Sequence, residues 1–220
     1  MAVKVQPALD TTQESPAPLR RVGVFGGAFD PPHNAHVALA RAALTQLKLA
    51  ELRIFPTGQA WHKARVLSAA EDRLAMAKLA FSELPGAFVD ARELQRSGPS
   101  FTLDTLRDLR REYPDAQPVL ILGADQGKAL PNWHGWQEII SIAIISIAFR
   151  ASPAGITGQF DPNTLPGLPV GARFESLEFA PIALSATEIR ARAAQGLDVS
   201  RLVPPAVARY IDQHHLYVPT

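Results

Sequence analysis

The sequence predicts an α/β protein built on a doubly wound parallel sheet, in a single domain. Three observations predict it. From Arg21 onward, short apolar runs of strand length alternate with longer segments of helical period, the pattern that lays helices on both faces of a parallel sheet. Several of the apolar runs close on glycine or proline, at Gly26-Gly27, Pro56 and Gly123, so the turns that follow gather at one edge. The chain has 220 residues, 47% hydrophobic and 20% charged, which suits one domain with a sizeable core.

The elements follow in order. Residues 1–19 hold three prolines and no apolar period, so they read as a disordered leader, with the folded domain covering 20–220. Arg21 to Phe25 is a short buried strand ending in Gly26-Gly27, and a helix is expected from about Ala35 to Leu49. Leu52 to Phe55 is the second strand. Ser68-Ala69-Ala70-Glu71 has capping-box spacing and opens a helix carrying Leu74, Met76, Leu79 and Phe81. Ala87 to Asp90 is a weak strand, and Thr102 caps a helix to about Tyr113. Val119 to Leu122 is a buried strand ending at Gly123, and Ile142 to Phe149 is another. Ala151 to Gly171, with four prolines and four glycines, is expected to be a loop. Phe174 to Leu184 contains the last strand. Ser185-Ala186-Thr187-Glu188 is a second capping box, with its helix running to Gln195 and stopping at Gly196. Pro204-Pro205 starts a final helix through about His214.

Composition removes several classes of function. The formal net charge is +1 and there are no cysteines, which excludes disulfides, thiolate metal sites and cysteine nucleophiles, and argues against a nucleic-acid or polybasic membrane binder. The longest apolar run, Ile139 to Phe149, is too short to span a bilayer. No signal peptide is visible at the N-terminus, so the cytoplasm is the default location.

The most informative stretch is Gly26-Gly27-Ala28-Phe29-Asp30-Pro31-Pro32-His33-Asn34-Ala35-His36. Glycines after a strand let backbone approach a phosphate closely, and the next helix aims its free amides at the same place. His33 and His36, three residues apart, share one side of that helix start. This suits a polyphosphate that develops charge during transfer. A metal pair is the alternative, but no third ligand stands nearby in sequence. The segment is neither a GxGxxG fingerprint nor a P-loop. It resembles the GxFDPxHxGH signature of the HxGH nucleotidyltransferase superfamily, with Ala35 in place of the usual glycine. The resemblance implies a Rossmann-like fold and ATP bound by Gly26, Gly27, Ala28, Phe29, His33 and His36, with both histidines catalytic. Leu184-Ser185-Ala186-Thr187-Glu188-Ile189-Arg190 resembles the superfamily's ISSTxIR signature. A capped helix with a solvated arginine would explain that segment by itself. The resemblance implies ATP contacts from Ser185, Thr187 and Arg190, with Arg190 catalytic.

The middle of the chain is similar to nicotinate-nucleotide adenylyltransferases. Lys63 resembles that family's basic position facing phosphate, implying a catalytic and substrate-binding role. Ser100-Phe101-Thr102 resembles the family's PSYT element, with Phe101 for tyrosine, and Gly123-Ala124-Asp125 resembles its GxD motif, implying ATP contacts from Gly123 and Asp125. Trp133, in Leu130-Pro131-Asn132-Trp133-His134-Gly135-Trp136, would stack on a pyridine ring, whereas Trp136 reads as core. The implied reaction joins the adenylyl group of ATP to nicotinate mononucleotide and releases pyrophosphate. Magnesium (Mg2+) would be held by phosphates and water, with no protein ligand named. Assembly as a homodimer is left open. The rivals are another acceptor, such as nicotinamide mononucleotide or phosphopantetheine, a dinucleotide-dependent oxidoreductase, and a non-catalytic nucleotide-binding regulator.

Overall fold

The computed structural model describes residues 19–58, 66–152, 155–157, 160–179 and 182–218. Lys63 and residues 1–18 of the expected leader lie outside them. The strands are β1 (Arg20–Gly27), β2 (Glu51–Pro56), β3 (Ala87–Val89), β4 (Ala116–Gly123), β5 (Ile144–Ser152), β6 (Gly155–Thr157) and β7 (Phe174–Phe179). The sheet runs in the order β3-β2-β1-β4-β5-β7 with every pair parallel, and β6 folds back antiparallel on the end of β5. This is the doubly wound order expected, with its switch point between β1 and β4.

The helices are α1 (Asn34–Gln46), α2 (Ala70–Phe81), α3 (Arg92–Gln95), α4 (Thr102–Glu112), α5 (Ala124–Ala129), α6 (Trp136–Ile142), α7 (Ala186–Ala194) and α8 (Pro205–Gln213). Alternation along the central strands sends residues to two separate cores. Phe25, Val119 and Ile121 pack with α1, α2, α7 and α8, through Leu39, Ala43, Met76, Ile189, Val207 and Ile211. Val24, Leu120 and Leu122 pack on the opposite face with α4 and α6, through Leu103, Leu106, Leu109, Trp136 and Ile139. Trp136 is thus a core residue, as expected.

Several local expectations differ. Thr102 is the first helical residue of α4 and Phe101 is its cap, without a side-chain cap bond. Ser68 does not cap α2, whose cap is Ala69. Its amide instead donates to the Asp30 carboxylate at 3.2 Å, and its carbonyl accepts from Arg73 Nε at 3.1 Å. The apolar run from Ile139 to Phe149 is divided. Ile139 to Ile142 complete α6, and the strand begins at Ile144, a division that period alone cannot find in an unbroken apolar run. The expected loop at 151–171 contains the end of β5, β6 and a 3₁₀ turn at Pro162–Thr164, which Asp161 caps through Asn163 N at 2.9 Å. Helices α3, α5 and α6 were not anticipated. At the second capping box the Ser185 cap forms, its Oγ accepting from the Glu188 amide at 3.1 Å.

Candidate active site

The switch point opens because two strands part. Pairing of β1 with β4 ends at Val24–Leu120, yet the strands continue to Gly27 and Gly123. The crevice lies between their carboxyl ends, where open α/β sheets bind ligands. Gly26 and Gly123 stand on its two sides. Neither has a positive φ, and a Cβ on either would meet nothing within 4 Å. The fold itself therefore does not require glycine at these positions, while a ligand pressed against backbone would. Gly27 differs, since its Cβ would crowd the Phe29 ring at 3.0 Å. Gly26→Val should accordingly leave the melting temperature unchanged and raise KM for ATP by about tenfold, roughly 1.4 kcal/mol. An unaltered KM would mean that no ligand approaches this backbone.

Past Gly27 the chain turns sharply. Phe29 takes a left-handed φ of 47°, and its ring is 1% exposed. It packs edge-on against Phe25, Phe81 and His36, with centroids 5.6, 5.7 and 5.2 Å apart. The Phe29 side chain is therefore core and walls one side of His36.

His33 caps α1 in extended geometry. Its ring stacks on that of His36, centroids 3.7 Å apart and 25° from parallel. The His33 amide donates to His36 Nδ1 at 3.2 Å. An accepting Nδ1 leaves the proton of a neutral ring on Nε2, so His36 presents an N–H on its far side. Burial lowers the His33 pKa from 6.5 to about 4, so this ring stays neutral and the stack is spared two adjacent cations. His33 Nδ1 is buried and faces the His36 amide in a capping-box arrangement, without meeting strict hydrogen-bond geometry.

Arg190 reaches the same loop from α7. Its Nη1 donates to the Asp30 carbonyl at 2.8 Å and its Nη2 to Thr187 Oγ1 at 3.1 Å. The Ser185 and Thr187 hydroxyls both act as acceptors within α7, from the Glu188 amide and from Arg190, so each keeps an O–H to donate. Arg73 is 3% exposed and braces the strand ends from beneath. Its Nη1 donates to the carbonyls of Ala28 at 3.1 Å and Thr57 at 2.6 Å. Sequence reading missed Arg73, and its only signal was an arginine at an apolar position of α2. Asp125 is exposed in the first turn of α5, just beyond Gly123.

The expected acceptor elements also come together. Phe101 lies against His134 with centroids 4.5 Å apart. Gly135, at φ 64°, lies so close to Leu103 that a Cβ would sit 2.4 Å from its Cδ2. These contacts bring the Trp133 segment over the N-terminus of α4. Trp133 is half-buried against the core beside α4. Ser100 Oγ donates to the Glu93 carbonyl at 3.0 Å, so this hydroxyl shapes the loop. Among the described residues, no group of three His, Asp or Glu side chains could hold a metal, and the Asp30 carboxylate is occupied by Ser68 N and by Tyr217 Oη at 2.8 Å. Nor is any helix among them long and apolar enough to cross a membrane.

The sequence model of the cytidylyltransferase-like family matches residues 24–192. A protein of Albidiferax ferrireducens named "Probable nicotinate-nucleotide adenylyltransferase" is 55% identical over 90% of this chain and 98% of its own length. One of the same name from Methylibium petroleiphilum is 43% identical over 92% and 95%. Among solved structures, Plasmodium falciparum nicotinic acid mononucleotide adenylyltransferase complexed with NaAD superposes with a TM-score of 0.72 at 17% identity, covering 90% of this chain and 97% of the other. That likeness concerns the fold. The family match spans both histidines and Arg190, and the relatives align along nearly their whole length, so the chain belongs to the nicotinate-nucleotide adenylyltransferases of the cytidylyltransferase-like family.

Proposed function

We propose that this chain transfers the adenylyl group of ATP to the 5′-phosphate of nicotinate mononucleotide, giving nicotinic acid adenine dinucleotide and pyrophosphate. The observation that carries the reading is the stacked His33–His36 pair at the head of α1, its tautomer fixed by the His33 amide, beside the open backbone of Gly26. Family membership at 55% identity supports the choice of acceptor.

In this reading the acceptor phosphate, ionised near neutral pH, attacks the α-phosphorus of ATP in line, and the bond to the bridging oxygen breaks as pyrophosphate leaves. No general base is required, so the chain contributes position and charge stabilisation. His36 Nε2–H donates to phosphate oxygens as negative charge grows on them. His33, kept neutral by burial and stacked on His36, is the second ring beside the same polyphosphate. Arg190 and the α7 amides take the outer phosphates. Magnesium neutralises phosphate charge and is carried on ATP and water; no step here depends on a protein ligand to it. Lys63 would add a point charge on the acceptor side. The cytoplasm, where both nucleotides are found, is the proposed setting.

Pyrophosphate release should require both ATP and nicotinate mononucleotide, with the dinucleotide formed in equal amount. Release that ignores the nucleotide, or proceeds equally well with phosphopantetheine, would remove this reading.

A further inference from the structure

The turns that follow α8 bear directly on the histidine loop. After α8 the backbone makes two left-handed residues within three positions, His215 at φ 49° and Tyr217 at φ 69°. A non-glycine residue in that region costs about 1 kcal/mol or more and persists only where its surroundings over-determine it. The conformation delivers the Tyr217 hydroxyl to Asp30 Oδ1 at 2.8 Å, from 187 residues away in sequence. Asp30 is 1% exposed and is a junction. Its other carboxylate oxygen accepts from the Ser68 amide at 3.2 Å, at the end of the segment that follows Lys63. Its carbonyl accepts from Arg190. It adjoins Phe29, itself left-handed, and stands three residues before His33. Asp30 thus joins four parts of the chain: its carboxylate ties the histidine loop to the segment after β2 and to the C-terminal turn, and its carbonyl ties it to α7.

We propose that Tyr217 is a positioning residue for adenylyl transfer, acting through Asp30 to fix His33, His36 and Arg190 relative to one another. This rests on the adenylyltransferase reading above. The hydroxyl is suited to the task because burial, with the Asp30 charge second, raises its pKa well beyond the ordinary tyrosine range, so it remains a donor at every working pH. The phenol is half-buried and its oxygen also lies 3.9 Å from Met76 Sδ. Without the hydroxyl, the buried Asp30 carboxylate loses one of its donors and the loop can relax. A displacement of the reacting groups by about 1 Å is enough to cost on the order of a hundredfold in rate.

The test is Tyr217→Phe in the full-length protein, which retains the ring and removes one oxygen. Turnover of ATP and nicotinate mononucleotide should fall about tenfold or more, with KM for the nucleotide within about twofold. Ile211→Val serves as the comparison. It trims a buried side chain of α8, 4% exposed, in the apolar core, and costs about 0.5–1.5 kcal/mol of stability. This variant should keep its kcat despite a lowered melting temperature. Wild-type kcat in Tyr217→Phe, or an equal loss of kcat in Ile211→Val, would overturn the proposal. Absence of dinucleotide synthesis by the unmodified protein would instead overturn the reading beneath it, so the two failures are distinguishable.

Discussion

His36→Ala is expected to lower kcat by about two to three decades, the scale of losing one preorganised transition-state donor, while KM for either substrate changes little. The expectation follows from how much of the local structure is devoted to this one ring. Phe29 walls it at 5.2 Å, His33 stacks on it at 3.7 Å, and the His33 amide holds its Nδ1. With Nδ1 accepting, a neutral ring carries its proton on Nε2. Such preorganisation stabilises charge that exists only during transfer, and an interaction of this kind appears in kcat rather than KM. His36→Gln tests the same point with less disruption. Its amide can donate where Nε2–H did, but nothing stacks it in place, so it should recover only part of the loss. Turnover within about threefold of wild type in His36→Ala would show that the ring does not meet the reacting phosphate.

The sheet and both signature segments were legible because each rests on local chemistry. Apolar runs ending at Gly26, Pro56 and Gly123 mark strands by composition alone, and the Ser185 cap forms as its spacing requires. Where the sequence misled, a distant partner had intervened. Ser68 reads as a helix cap, but Asp30 and Arg73 engage its backbone, and nothing near position 68 announces either. The parts played by Arg73 and Tyr217 were not legible for the same reason. Their importance lies in contacts with Ala28, Thr57 and Asp30, made across 16 to 187 residues of sequence. Helices α5 and α6 were missed because they are 6 and 7 residues long, too short to show a helical period.

The unmodified protein should prefer nicotinate mononucleotide over nicotinamide mononucleotide by about two decades or more in kcat/KM. The two acceptors differ by a carboxylate against a neutral amide on the pyridine ring. The guanidinium of Arg96, four residues before Ser100 in sequence, is engaged by Asp108 and by Thr105 Oγ1 at 2.8 Å, so recognition falls to backbone. The N-terminus of α4 supplies it. Phe101 is the cap and Thr102 the first helical residue, which leaves first-turn amides and the positive end of the helix dipole beside the Trp133 segment. A carboxylate meets those donors, whereas an amide turned toward them leaves N–H facing N–H, and unpaired donors in such a site can discriminate by several decades. Trp133 holds the ring without reading its substituent. Trp133→Ala should therefore raise KM for both nucleotides by about tenfold or more and leave most of their ratio intact, since removing an aromatic platform costs both equally. Equal kcat/KM for the two nucleotides in the unmodified protein would dismiss the backbone readout. A ratio that collapses in Trp133→Ala would transfer the discrimination from the α4 amides to the indole ring.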